Sequence, residues 1–128
     1  MQSSGKIIIE PESNVWPHEL KTAEALAAAG YTVRFLRRNE RRYARSADCL
    51  INDIEWEMKA PQIKQANRVQ KVLRKALHQA RAIIFDSERI GLVPDPIIER
   101  ELRKWARELQ SMKYLIFIDK NRNVIVIK

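Results

Sequence analysis

The sequence predicts an α/β domain spanning residues 1–128, a mixed β-sheet with helices on its faces, in the order (β)αβββαβαββ. Two observations carry this prediction. Short β-branched and aromatic runs alternate with longer stretches whose apolar residues recur at helical spacing. The composition, 45% hydrophobic and 31% charged with only three Gly and five Pro, is that of a chain that buries one core and has little room for long loops.

The elements follow in chain order. "GKIIIE" suits a small edge strand. "WPHELKTAEALAAAG" reads as a helix, with Pro17 in its first turn, alanines along it and Gly30 as its C-terminal cap. "YTVRFL" has strand composition and leads into the Arg-rich loop "RFLRRNERRYAR". "ADCLI" and "IEWEMKA" are two strand-like runs around Asn52-Asp53, residue types that tolerate the left-handed backbone a two-residue hairpin turn demands. Pro61 ends the second run. "QIKQANRVQKVLRKALHQA" is a long amphipathic helix and "AIIFD" a buried strand. "LVPDPIIERELRKWARELQSM" is a second amphipathic helix, a packing element on which Ile98, Leu102, Trp105, Leu109 and Met112 recur. "YLIFID" and "NVIVIK" form a closing hairpin that turns at Lys120 to Asn123.

Several classes are excluded or disfavoured. A single cysteine, Cys49, rules out an internal disulfide, and His18 and His78 lie too far apart for a zinc motif. The only N-terminal apolar run, Ile7 to Ile9, is too short for a signal peptide or membrane span. A net charge of +8 and a pI near 9.9 favour a polyanionic partner, nucleic acid before an acidic protein or an anionic membrane.

A turn at Asn52-Asp53 sets Ile51 against Ile54, Leu50 against Glu55, Cys49 against Trp56 and Asp48 against Glu57. Directly opposed residues share a face, and strand alternation adds Lys59 to the Asp48–Glu57 face. The other face collects Ala47, Cys49, Ile51, Ile54, Trp56 and Met58, which pins the register because a one-residue slip would bury both carboxylates. Two like charges across a strand pair destabilise it. A divalent cation between them reverses the sign, and oxygen ligands suit Mg²⁺ or Mn²⁺. An ammonium beside such a site can orient a water or steady charge on a phosphate. A solvated sheet face with Asp48 ending the loop explains the same pattern.

These residues resemble the PD-(D/E)XK nuclease superfamily: a helix Glu, an acid at the start of one strand, then acid-x-Lys on the next, here "EMK". Ala47 stands where the motif has proline. Over Lys6 to about Asp86, "HELKTAEALAAAGYTV", "SADCLINDIEWEMKAP" and "KALHQARAIIFD" resemble the C-terminal tRNA nuclease domain of contact-dependent growth inhibition toxins.

The resemblance implies a restriction-endonuclease-like core. It assigns Asp48, Glu57 and the Met58 backbone carbonyl to a divalent metal (Mg²⁺ first, with Mn²⁺ or Zn²⁺ as alternatives), Lys59 to the nucleophilic water, and Glu19 to completing the acidic set directly or through a metal-bound water, with Glu24 a weaker candidate for that last role. It further implies tRNA as substrate in preference to DNA, a cognate immunity protein as partner, no membrane partner, and action in the cytoplasm of a target cell. The rivals are a DNA endonuclease of the same superfamily, a non-catalytic nucleic-acid-binding module and a protein-interaction domain.

Two basic segments would hold the polyanion. Lys64, Arg68, Lys71, Lys75 and His78 form one stripe of the helix after Pro61, and no acidic residue occurs between Lys59 and Phe85. In the Arg-rich loop, Arg41, Arg42 and Arg45 form a second clamp around Tyr43, whose ring could stack on an unpaired base. A solvated basic face and a mobile basic loop are the plainer readings. His18 reads as a capping or surface residue, and Trp16, Trp56 and Trp105 as packing residues.

Overall fold

The computed structural model describes residues 4–37 and 47–128. Its elements run β1 (Ile7–Ile8), α1 (Pro17–Ala28), β2 (Val33–Phe35), β3 (Cys49–Ile51), β4 (Ile54–Lys59), α2 (Arg68–Ala76), β5 (Ala82–Asp86), α3 (Asp95–Glu108), β6 (Tyr114–Ile118) and β7 (Val124–Val126). This is the predicted order. The strands form one mixed sheet in sequence order, β1 to β7. β1–β2, β4–β5 and β5–β6 pair in parallel, and β2–β3, β3–β4 and β6–β7 antiparallel.

The mixed sheet flanked by helices is as predicted, while the restriction-endonuclease-like core is corrected in one respect: the sheet curls into a half-barrel. Right-handed twist accumulates from each short strand to its neighbour.

Two apolar cores sandwich the sheet. Ala82 and Ile84 of β5 pack with Ala23 and Leu26 of α1, Cys49, Trp56 and Met58. Ile83 and Phe85 pack on the other side with Val69 and Leu73 of α2 and Ile98 and Leu102 of α3. All five residues of β5 are therefore buried, as a parallel strand covered on both faces requires.

Local chemistry sets the helix ends. At the end of α1 the Tyr31 N–H bonds Leu26 O at 3.0 Å and the Gly30 N–H bonds Ala27 O at 3.0 Å, with Gly30 at φ 102°. That is a Schellman closure, which needs the left-handed residue that glycine supplies without strain. The two amphipathic helices are shorter than their apolar periodicity predicts. α2 starts at Arg68 rather than Gln62, entered through three-residue turns from Arg68 N–H to Gln65 O and Val69 N–H to Ala66 O. α3 stops at Glu108, although Leu109 and Met112 beyond it stay buried. Apolar spacing reports which residues face the core, and turns flanking a helix satisfy it as well as another helical turn does.

Candidate active site

The β3–β4 hairpin forms around Asn52 (φ 54°) and Asp53 (φ 63°), both left-handed, in the predicted register Cys49↔Trp56, Leu50↔Glu55 and Ile51↔Ile54. The ladder stops there. The Asp48 N–H bonds Trp56 O at 3.0 Å, and the Asp48 carboxylate accepts the Met58 N–H at 2.9 Å. Asp48 is thereby locked against β4 where the next backbone pair would sit.

Glu57 pairs with Ile83 and Lys59 with Phe85, so both project to the face covered by α2 and α3. Lys59 Nζ reaches Glu57 Oε2 at 3.1 Å. Glu57 is only 4% exposed, and its Oε1 is buried without a hydrogen-bond donor. Burial, then the Asp48 charge and a hydrogen bond shared with Asp48, push its carboxyl up to about 8, against the opposing pull of Lys59. Two carboxyl groups share a hydrogen bond only when one carries a proton. At neutral pH this pair therefore holds a proton that a bound cation would displace.

Glu19 sits at the third position of α1, buried, and its Oε1 accepts the Trp16 N–H at 2.9 Å, one half of a capping box. Among the described residues no group of three His, Cys, Asp or Glu side chains is arranged to hold an ion. Glu24 is exposed on α1. Cys49, on the opposite face of the hairpin, has its thiol pushed up by burial and by the Asp48, Glu19 and Glu57 charges, which leaves it inert.

The basic stripe is fully exposed, but only Arg68, Lys71 and Lys75 belong to α2. Lys64 lies in a bend before the helix and His78 in the turn after it. None of the five pairs with a carboxylate among the described residues. Because α2 runs back from the Lys59 end of β4 to the start of β5, Lys64 and Arg68 are the stripe's members nearest the site. Arg41, Arg42 and Arg45 of the predicted second clamp lie outside the described residues. Trp56 is buried as predicted, whereas Trp16 is 59% exposed.

Sequence reasoning missed a second acidic centre. Asp86, at the end of β5 and 1% exposed, accepts both arms of Arg122 (2.7 and 2.9 Å), the Thr22 hydroxyl (2.6 Å) and the Glu88 N–H (2.9 Å). This clasp ties α1 to β5 and to the β6–β7 turn, and Arg122 is held charged chiefly by its hydrogen bonds to Asp86. His18, read from sequence as a cap or surface residue, stands half-buried within the fields of Asp48 and Asp86. Burial and Arg89 lower its pKa against both of them. The acid ending "AIIFD" was the available signal, but its partners come from distant segments.

Residues 45–124 match the family described as the contact-dependent growth inhibition CdiA C-terminal domain. The chain belongs to that family. No curated protein gives a significant match. Among solved structures, a chain from the "CdiA-CT/CdiI toxin and immunity complex from Burkholderia pseudomallei" is similar over 97% of this chain and 99% of its own, with TM-score 0.77 and 20% identity. At that identity the likeness is one of fold. The family match spans β3, β4 and the Asp48–Glu57–Lys59 constellation together with α2, β5, α3 and β6, and ends as β7 begins. Among the described residues of this CdiA C-terminal domain, no helix is long and apolar enough to cross a membrane.

Proposed function

We propose that this CdiA C-terminal domain is a metal-dependent endonuclease of the PD-(D/E)XK type that hydrolyses RNA phosphodiesters, tRNA in preference to DNA, as a toxin module silenced by a cognate immunity protein. One observation carries the chemistry: buried Glu57 between the half-buried Asp48 and Lys59, with Glu57 Oε1 lacking a hydrogen-bond partner. A buried oxygen left unsatisfied beside a second carboxylate is costly unless something positive comes between them.

The donor set fits a hard cation. Asp48, Glu57 and the Met58 carbonyl would hold it, and Mg²⁺ in particular is bound through one or two carboxylates while it keeps several waters, so a cage of three side chains is not required. Zn²⁺ fits less well, because it favours nitrogen and sulfur ligands in closed sites. The ion would supply charge neutralisation at the phosphate. Lys59, tethered to Glu57, orients the attacking water and steadies negative charge on the phosphoryl oxygens. Glu19, whose Oε1 accepts the Trp16 N–H, would complete the acidic set from the α1 side, directly or through a water on the ion. Lys64, Arg68, Lys71 and Lys75 bind the backbone leading to the site, with His78 at the far end of the run. The toxin and immunity roles draw support from family membership and from the immunity complex of the Burkholderia pseudomallei relative.

The test is cleavage of total tRNA and of plasmid DNA with Mg²⁺ and with EDTA. Mg²⁺-dependent tRNA fragments are expected, lost in Glu57→Gln and Lys59→Ala with RNA binding retained. Plasmid cutting alone would reassign the substrate to DNA. An inert unmutated protein at every divalent-ion concentration would leave only a binding module.

A further inference from the structure

The face of α3 turned away from α2 carries a feature that the candidate active site does not use. A cavity of about 610 Å³ lies between α3 and the ends of β6 and β7, with Arg100, Arg103 and Arg107 along its helical wall and Phe117 in its sheet wall. A second cavity of about 360 Å³ continues it past Arg103 and Arg107 to Ile127 and Lys128. At about 100° per residue the three arginines fall within roughly a sixth of the helix circumference, while Glu101 and Glu108 point to the other flank.

Two of the three acids that line the groove are paired with cations, while Asp119 keeps its charge and is held by neutral donors. Asp95 is bound by Lys120 Nζ (3.0 Å) and the Ser87 hydroxyl (2.7 Å), Glu99 by Arg103 (3.0 Å), and Asp119 by the Asn123 N–H (2.8 Å). Arg100 and Arg107 have no carboxylate partner among the described residues, and both are exposed. The Lys128 ammonium is anchored on Ala106 O at 2.7 Å, which fixes a fourth positive charge at the far end. The Glu99–Arg103 pair is exposed and one helical turn apart, a type worth only a few tenths of a kcal/mol, so it leaves Arg103 available to a ligand.

We infer that this groove is a second phosphate-binding track, for the backbone of a folded RNA beyond the strand that enters the active site. The inference rests on the nuclease reading only for the identity of the polymer. The run from Arg100 to Arg107 is about 10 Å long, the length over which one duplex strand presents about three phosphates. Guanidinium forks match phosphate oxygens in pairs. Phe117 stands in register with Phe85, and Phe85 with Lys59, so the sheet wall of the groove and Lys59 share a sheet face, their backbones about 10 Å apart across two strands. With the α2 stripe on one side of α3 and this groove on the other, a single strand can follow only one track, whereas a folded RNA meets both.

The experiment measures binding without divalent ions, so it does not depend on cleavage. Fluorescence anisotropy with labelled tRNA and with a short single-stranded RNA would compare the wild type, Arg100→Glu/Arg107→Glu and the milder Arg100→Gln/Arg107→Gln. The charge reversal is expected to weaken tRNA binding about tenfold and to lower its salt slope by about two, with the Gln pair intermediate and the short RNA unaffected. Equal tRNA affinity and slope for all three proteins overturns the inference and returns the groove to some other occupant such as an acidic protein. Equal losses for tRNA and the short strand also overturn it, because the groove would then serve the strand at the active site. Failure of the nuclease reading appears separately, as absence of cleavage by the wild type in Mg²⁺.

Discussion

Glu57→Gln is expected to stabilise the folded protein near neutral pH even as it removes activity. Burial and Asp48 lift the Glu57 carboxyl from its ordinary 4.5 to about 8 in the folded chain. At pH 7 the unfolded chain has released this proton and the folded chain retains it. Stability from this group is thus complete below about 4.5 and is lost progressively until the pH passes 8. Between pH 4.5 and 7 that loss is about 3 kcal/mol, at about 1.4 kcal/mol per pH unit. Glutamine has the same shape and carries no charge. The substitution therefore keeps the volume and removes the titration. Urea unfolding of both proteins in metal-free buffer from pH 4.5 to 8.5 would isolate the term, because every other titrating group is common to both. The variant should match the wild type near pH 4.5 and exceed it by up to about 3 kcal/mol at pH 7. Parallel curves, or a variant less stable at pH 7, would refute a strained carboxyl pair.

Arg122→Ala leaves the buried Asp86 carboxylate with only Thr22 and the Glu88 N–H, and should cost about 3 kcal/mol in chemical denaturation. A loss below about 1 kcal/mol would mean that the clasp is solvated. Gly5→Ala should destabilise by about 1–3 kcal/mol, because a Cβ there would lie 1.8 Å from Tyr31 O, and an unchanged melting temperature would show that β1 can shift freely. Lys71→Glu with Lys75→Glu should weaken RNA binding and lower its salt slope by about two in the same anisotropy assay, and unchanged binding would remove the α2 stripe from the interface.

The sequence by itself determined the element order, the hairpin and its register. Asn52-Asp53 accept left-handed backbone, and the alternation of Cys49, Ile51, Trp56 and Met58 sets one face of the hairpin as apolar. Those are local constraints, written into neighbouring residues. From them the shared face of Asp48, Glu57 and Lys59 followed before any coordinates. The tertiary structure alone decided what those charges experience. Glu57 is strained because the packing of α2 and α3 covers its face; Glu19 is turned into a helix cap; Asp86 is clasped by Arg122 and Thr22 from opposite ends of the chain. The curl of the sheet and the groove beside α3 are likewise products of packing between remote segments. Periodicity records which side of an element is apolar, and it carries no information about which distant side chain will arrive on the other.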